Sequence, residues 1–251
     1  MPFDLEYVRQ TWPHAVSYFA TIDSTMIEAS RLAAAGCGQG TVVIADEQTA
    51  GQGRHGRRWH SEPNAGLYVS IVLRPALRVD ALPVLTLALG LAAADAIAET
   101  AGLECDLRWP NDVMLEGKKV AGILVQLTDS AAIAGIGVNV NHTAFPAEIA
   151  AEATSIRIVS SRPQSREQLL VALVAAVSRY CSVLEGQAGR DAILHMFSRR
   201  SSYARNKRVR VEQGASTMEG ITAGLDPSGF LIVRGDDGKE QLVLAGGVRP
   251  C

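Results

Sequence analysis

Residues 51–59 read Gly51-Gln52-Gly53-Arg54-His55-Gly56-Arg57-Arg58-Trp59. The first six fit the GxGxxG pattern of dinucleotide-binding folds. There a strand leads through a glycine loop into a helix whose N-terminus holds a pyrophosphate. A strand does lead in, since Thr41–Glu47 is a β-branched, apolar run. The segment after the loop does not fit. Residues 57–64 (RRWHSEPN) carry no helical stripe, and Gly66–Arg74 (GLYVSIVLR) returns to strand alternation. A doubly wound Rossmann domain is therefore disfavoured, and the loop has another use.

Its composition points to that use. Arg54, His55, Arg57 and Arg58 fall within five residues. Glycines let a backbone approach an anion closely, and arginines neutralise it through forked hydrogen bonds. Trp59 closes the loop and offers a face on which a flat base can stack. The plainer alternative is a solvated basic loop with a core tryptophan.

Outward from the loop, the chain reads as alternating strands and helices. Val16–Ile22 is an expected strand, followed by a helix over about Thr25–Ala35. Thr25 with Glu28 fits a capping box there, and Gly36 a stop. Asp80–Thr100 is apolar on most faces and reads as a helix sandwiched inside the domain. Asp106–Trp109 is a short strand. Val113–Leu115 and Val120–Leu127 form a hairpin around Glu116-Gly117-Lys118, and Ala131–Asn141 is a further strand. Gln164–Leu184 is an amphipathic helix with Leu170, Leu173, Val174, Val177, Cys181 and Leu184 on one stripe. After about Arg205 helical signals stop. Short strands follow at Arg208–Glu212, Thr217–Leu225, Phe230–Arg234 and Gln241–Leu244, with turns at Asp226–Gly229 and Asp236–Gly238. A small β-barrel module over 205–251, packed on a larger domain over 1–204, is the expected organisation.

The 251 residues carry a formal charge of −2 and are 47% hydrophobic and 20% charged. These values suit a globular chain and give no support to one built mainly for nucleic acid. The longest uncharged apolar stretch, Ala81–Ala94, is too short to span a bilayer. No secretory signal is evident at the N-terminus. Cys37, Cys105, Cys181 and Cys251 lack CxxC spacing, which points to a reducing cytoplasm.

Three further motifs carry chemistry. Arg108-Trp109-Pro110-Asn111-Asp112 ends a strand. Asp112 suits orienting a metal ion or taking a proton, and Asn111 reading a base edge; an ordinary Asx turn is the plainer reading. The hairpin brings Lys119, in KKVAGIL, back toward Asp112. Its ammonium suits an attack of a carboxylate on phosphorus, where two anions must meet. Gly122 leaves room for a ligand. Asp23-Ser24-Thr25-Met26 opens a helix with two hydroxyls, one more than capping needs. Gly135-Ile-Gly-Val-Asn-Val-Asn141 puts two glycines on a strand, where close ligand approach explains them. Asn139 shares a pleat face with Gly137 and is preferred to Asn141.

GQGRHGRRW, RWPND, KKVAGIL and GIGVNVN, in this order and spacing, resemble the biotin–protein ligases (biotin–[acetyl-CoA-carboxylase] ligases). The resemblance runs from about Asp23 through the C-terminal module. It implies an α+β fold: a mixed, largely antiparallel sheet with helices, related to class II aminoacyl-tRNA synthetases, plus an SH3-like small barrel. It implies activation of biotin with MgATP to biotinyl-5′-AMP, then transfer to one lysine of a biotin carboxyl carrier domain of acetyl-CoA carboxylase or a related carboxylase. Carried over residue by residue, Ser24, Thr25, Met26, Gln48, Gln52, Gly53, Arg54, Lys119 and Gly122 are the biotin-binding set. Gly51, Arg54, Arg57, Trp59, Asn111 and Asn139 are the nucleotide set, and Lys119, Arg54 and Asp112 the catalytic one.

A lipoate–protein ligase shares this fold, but its RRxSGGG element is absent here. A biotin-sensing DNA-binding regulator carries an N-terminal helix-turn-helix; with a strand expected from Val16, none is expected, and neither is DNA binding. A monomer, or a homodimer joined at sheet edges, suits the family. The basic run Arg199, Arg200, Arg205, Lys207, Arg208 and Arg210 reads as a solvated linker or as a contact for phosphates or an acidic carrier.

Two departures matter. Met26 stands where the family often has Asn, and Gln52 and His55 stand where its loop usually has arginines. Fewer charges weaken the grip on the adenylate. Gln52→Arg or His55→Arg should therefore slow release of biotinyl-5′-AMP in a dissociation assay; unchanged release in both variants contradicts this.

Overall fold

Side-chain alternation along a strand decides which layer each residue joins. The computed structural model describes residues 3–74, 81–129, 131–213 and 216–251. A short helix α1 (Leu5–Thr11) precedes strand β1 (Val16–Ile22), helix α2 (Thr25–Ala34), and strands β2 (Val42–Gln48) and β3 (Gly66–Leu73). Helix α3 (Leu82–Ala101) leads to strands β4 (Asp106–Arg108), β5 (Asp112–Leu115), β6 (Lys118–Leu127) and β7 (Ala132–Asn139). The seven strands form one sheet in the order β1-β2-β3-β7-β6-β5-β4. β1 and β2 are parallel and every other pair is antiparallel. This is the mixed, largely antiparallel sheet expected, and the glycine loop carries a three-residue 3₁₀ turn at Arg54–Gly56 rather than an α-helix.

The sheet divides its residues between two layers. Leu67, Val69, Ile71 and Leu73 of β3 join the main core. Val72 joins a smaller cluster with Met26, Ala29 and Ala33 of α2. Helices α4 (Ala147–Ala150), α5 (Ile156–Ser160) and α6 (Arg166–Glu185) come next, then α7 (Gly189–Arg200). α3 packs against both the sheet and α6, which is why it is apolar on nearly every face. Both α3 and α6 are long and apolar enough to cross a membrane by composition. Their apolar residues are nevertheless spent on the core. The start expected for α3 at Asp80 lies outside the described residues. The expected α6 stripe, from Leu170 to Leu184, is buried throughout.

The remaining strands are β8 (Arg205–Gln213), β9 (Ser216–Leu225), β10 (Leu231–Arg234), β11 (Glu240–Val243) and β12 (Gly247–Pro250). They form a five-stranded sheet in the order β11-β10-β9-β8-β12. Side-chain bonds bind it to the first layer. Trp109 Nε1 donates to the Gly229 carbonyl at 2.9 Å. Just ahead of β8, Ser201 Oγ donates to the Leu107 carbonyl at 2.6 Å.

Several elements differ from expectation. α1, α4, α5, α7 and β12 carry too few periodic apolar positions to stand out. α7 buries only Gly189, Ile193 and Phe197. The capping box at Thr25 is not formed. Ser24 is the N-cap, and the Thr25 amide donates instead to Gln48 Oε1 of β2 at 2.9 Å. Glu28 turns to Arg31. Among the described residues, three of the six cations in the basic run at the junction are held in ion pairs: Arg200 with Asp95, Arg208 with Asp236, and Arg210 with Glu219.

All four cysteines are free. Burial pushes the Cys105 thiol up to about 12 and the Cys181 thiol to about 11. At pH 8 the thiolate fractions are then about 10⁻⁴ and 10⁻³. Iodoacetamide should label exposed Cys251 and half-buried Cys37 in the native protein, and Cys105 and Cys181 only after denaturation. Mass spectrometry of the labelled peptides checks this.

Candidate active site

One rank of residues crosses the sheet. Arg108 pairs with Asp112, Asp112 with Gly122, Gly122 with Gly137, and Gly137 with Tyr68. Directly paired residues share a face, so the charged groups at one end of the rank meet a floor without side chains at its centre. The indole of Trp59 lies on that floor. A Cβ at Gly137 would stand 2.4 Å from Trp59, and one at Gly122 2.8 Å from it and 2.9 Å from Lys119 Nζ. Glycine is required at both positions for this approach. Farther along, Met26 covers Gly135 in the same way, so its side chain packs where a hydrogen-bonding residue is usual in the family.

The helix end supplies the polar wall. Thr25 Oγ1 lies 3.1 Å from Gln48 Oε1 and 2.8 Å from Ser70 Oγ. Ser24 Oγ is buried and has no hydrogen-bond partner among the described residues, and neither has Trp59 Nε1. Buried polar atoms are costly unless paired, so both are poised for a ligand. Ser24, Thr25, Met26, Gln48, Gln52, Gly53, Arg54, Lys119 and Gly122 all line one cavity of about 50 Å³.

A second cavity, of about 210 Å³, adjoins it and is lined by Arg57, Arg108, Asp112, Asn139 and Arg249 among others. Gly53, Arg54, Trp59, Asn111 and Lys119 line both. Arg54 Nη1 donates to Asn111 Oδ1 at 3.2 Å and to the Gly246 carbonyl, just before β12, at 3.4 Å. The loop is thus latched to the second sheet. Burial lowers the Arg54 pKa, with Asp112 opposing and Arg57 assisting that effect; a guanidinium stays charged regardless. Asn111 Nδ2 donates to the Ile123 carbonyl at 2.9 Å. Asn139 Nδ2 donates to the Thr154 carbonyl at 3.0 Å.

Asp112 sits between two cations. Lys119 Nζ is 2.5 Å from Oδ1, and Arg108 Nη2 is 2.8 Å from Oδ2. Burial alone would raise the Asp112 pKa; the charges and hydrogen bonds of Lys119 and Arg108 overcome it and hold it below the usual carboxylate range. The carboxylate is therefore ionised, a weak base, and has both oxygens engaged. Each oxygen thus faces one cation, which suits Asp112 to positioning Lys119. Lys118 instead points to the Ala150 carbonyl, so Lys119 is the lysine at the site.

Other expected residues fall elsewhere. Gly51 lines neither cavity; its carbonyl accepts from the Trp59 amide at 2.9 Å and closes the loop's base. Asn141 is tied to the backbone of Gln164. Sequence reasoning missed Arg108 as the partner of Asp112, Ser70 as the partner of Thr25, and Arg249, which pairs with Glu152 at the cavity rim. A hairpin register would have exposed the first, since Arg108 and Asp112 stand opposite each other.

The site is a small glycine-floored cavity that opens onto a larger, basic one within an α+β fold. Its class follows from comparison with known proteins. Residues 18–142 match the biotin/lipoate A/B protein ligase family, and residues 206–248 match the biotin protein ligase C-terminal domain. The chain is 34% identical over 240 residues to the biotin–[acetyl-CoA-carboxylase] ligase of Paracoccus denitrificans, covering 90% of this chain and 97% of that one. It is 33% identical over 243 residues to the bifunctional ligase/repressor BirA of Bacillus subtilis, covering 91% and 72%. The biotin protein ligase of Aquifex aeolicus, solved in complex with biotin and ATP, superposes with a TM-score of 0.84 at 28% identity, covering 94% and 99%. The chain belongs to the biotin/lipoate A/B protein ligase family and, within it, to the biotin protein ligases.

Gly137→Ala should push the indole off its floor and free the basic loop. Tryptic cleavage after Arg54, Arg57 or Arg58 should then accelerate about tenfold, as loss of ~1.4 kcal/mol of local closure requires. An unchanged cleavage rate contradicts the packing described.

Proposed function

We propose that the small cavity receives biotin, the larger one ATP, and that the reaction takes place where they meet. The observation that carries this reading is the shared wall. Gly53, Arg54, Trp59, Asn111 and Lys119 line both cavities, so an acid in one reaches a phosphate in the other only past them. Ser24, Thr25 and Gln48 offer donors and acceptors to a polar ring, and the glycine floor accepts its flat face. The Trp59 indole rests on the glycine floor that a flat ring would use, so it lifts as biotin enters and then closes against it.

The first half-reaction joins the biotin carboxylate to the α-phosphorus of ATP and expels pyrophosphate. Both partners are anions. Lys119 and Arg54 lower the cost of bringing them together and stabilise the charge that develops. Asp112 keeps Lys119 extended toward the junction, and Arg108 keeps Asp112 in place. Magnesium enters with the triphosphate as part of the substrate. Asn111 and Asn139 face the nucleotide, and Arg57, whose side chain is exposed, meets its phosphates. The loop then shields the mixed anhydride from water.

In the second half-reaction the neutral amine of an acceptor lysine attacks the acyl carbon and AMP leaves. An Asp112 carboxylate held by two cations is a poor proton acceptor, so its part is positioning. The acceptor is a biotin carboxyl carrier domain of acetyl-CoA carboxylase or a related carboxylase, and the setting is the cytoplasm. Residues 1–204 form the catalytic domain and 205–251 the SH3-like domain. Support for that division is the change at Arg205 from a helix-covered sheet to a separate five-stranded antiparallel sheet without helices among the described residues.

Lys119→Ala should lower biotin-dependent pyrophosphate exchange about 10²–10³-fold. Its thermal unfolding should stay near the unaltered chain's, because Lys119 is a partly exposed residue at the start of β6. Exchange at the unaltered rate in a folded Lys119→Ala protein contradicts the assignment.

A further inference from the structure

At one edge of the larger cavity, whose lining includes His60 and Phe145, lies a cluster that the reaction does not use. One ligand atom from each of His60, Glu62 and His142 lies within 4.8 Å of the other two. His60 and Glu62 belong to the segment joining the basic loop to β3, and His142 comes after β7. The His60 ring centroid is 5.9 Å from that of His142, and Phe145 stacks on His142 at 5.0 Å.

Proton counting at His142 leaves a lone pair without a partner. Tyr68 Oη donates to the Glu62 carbonyl at 3.0 Å. A phenol has one proton, so in the 3.3 Å contact between Tyr68 Oη and His142 Nε2 the ring nitrogen is the donor. The neutral ring then carries its lone pair on Nδ1. His142 is 0% exposed, and its Nδ1 has no hydrogen-bond partner among the described residues. Such an atom is rare in a folded protein and asks for an occupant.

We propose that His60, Glu62 and His142 form a site for a divalent transition metal, zinc by preference, that ties the end of the basic loop to the end of β7. Two imidazoles and a carboxylate are a zinc donor set with a fourth position left for water. Donor atoms on a tetrahedral zinc stand about 3.3 Å apart. Exposed Glu62 and half-buried His60 close onto the fixed His142 by side-chain rotation. Tyr68 is the outer hydrogen-bond partner that holds the His142 ring in orientation. The site borders the larger cavity through His60 and contains none of Lys119, Arg54 and Asp112. Its effect is mechanical: Trp59 precedes His60 directly, so fixing His60 limits how far the indole lifts.

The test is titration of the chelator-stripped whole chain with Zn²⁺ by calorimetry, and with Co²⁺ followed by visible absorption. One equivalent of Zn²⁺ should bind, and tetrahedral-type Co²⁺ bands should appear. Affinity should fall at least about tenfold in His60→Gln and in Glu62→Gln, neither of which empties a core position, and the Co²⁺ bands should vanish. His195→Gln and Cys251→Ser, altered at exposed donors elsewhere, should bind like the unaltered chain. Absence of stoichiometric binding, or equal affinity in His60→Gln and Glu62→Gln, overturns the proposal. So does loss of binding in the His195 or Cys251 variants alone, which would mark an adventitious surface ion.

Discussion

Gly122 stands directly opposite Gly137 in the middle of a seven-stranded sheet, and the site depends on what those two positions lack. Glycine weakens a strand, and two facing each other remove a cross-strand side-chain pair altogether. The missing volume becomes a floor on which a flat group rests. The indole of Trp59 uses it here, and the basic loop reaches the sheet only because it does. The sheet tolerates the gap because its other face is packed with the apolar residues of α3 and α6.

The same rank sets the electrostatics. Because Asp112 lies between Arg108 and Gly122 in register, its carboxylate can hold Arg108 on one side and draw Lys119 over the glycine on the other. A bulge after Val113 places Lys119 beside Met114 rather than one residue further on. A one-residue slip would turn every side chain to the other face. The register therefore sets both the hairpin and the place of Lys119 beside Asp112. Arg54, latched to the Gly246 carbonyl, brings the second sheet into the same network. That contact gives the C-terminal sheet a reason to sit where it does.

Much of this was legible in the sequence, because periodicity reports burial. The strand after the glycine loop excluded a Rossmann unit, and the α3 and α6 patterns gave the core. The family resemblance supplied the candidate site residues, and all nine of the biotin set line one cavity. What escaped depended on tertiary partners. The Thr25 amide looked capped by its own helix, yet Gln48, twenty-three residues on, takes it. Arg108 carried no role beyond opening the RWPND motif until pairing put it against Asp112. Helix α7 and strand β12 are short and mostly polar, and they exist because the layer beneath them accepts a few apolar anchors. His142 gave no signal at all, since a buried imidazole with an unpartnered nitrogen is visible only in three dimensions.

On the proposed reading, the meeting point of the two cavities makes and consumes a biotinyl adenylate. The most direct measurement mixes the protein with ATP, Mg²⁺, labelled biotin and a biotin carboxyl carrier domain. Label should become covalently attached to one lysine of the carrier domain, only with ATP present, with AMP and pyrophosphate formed in equal amounts. Attachment of lipoate in preference to biotin, or ATP-independent attachment, would contradict the account.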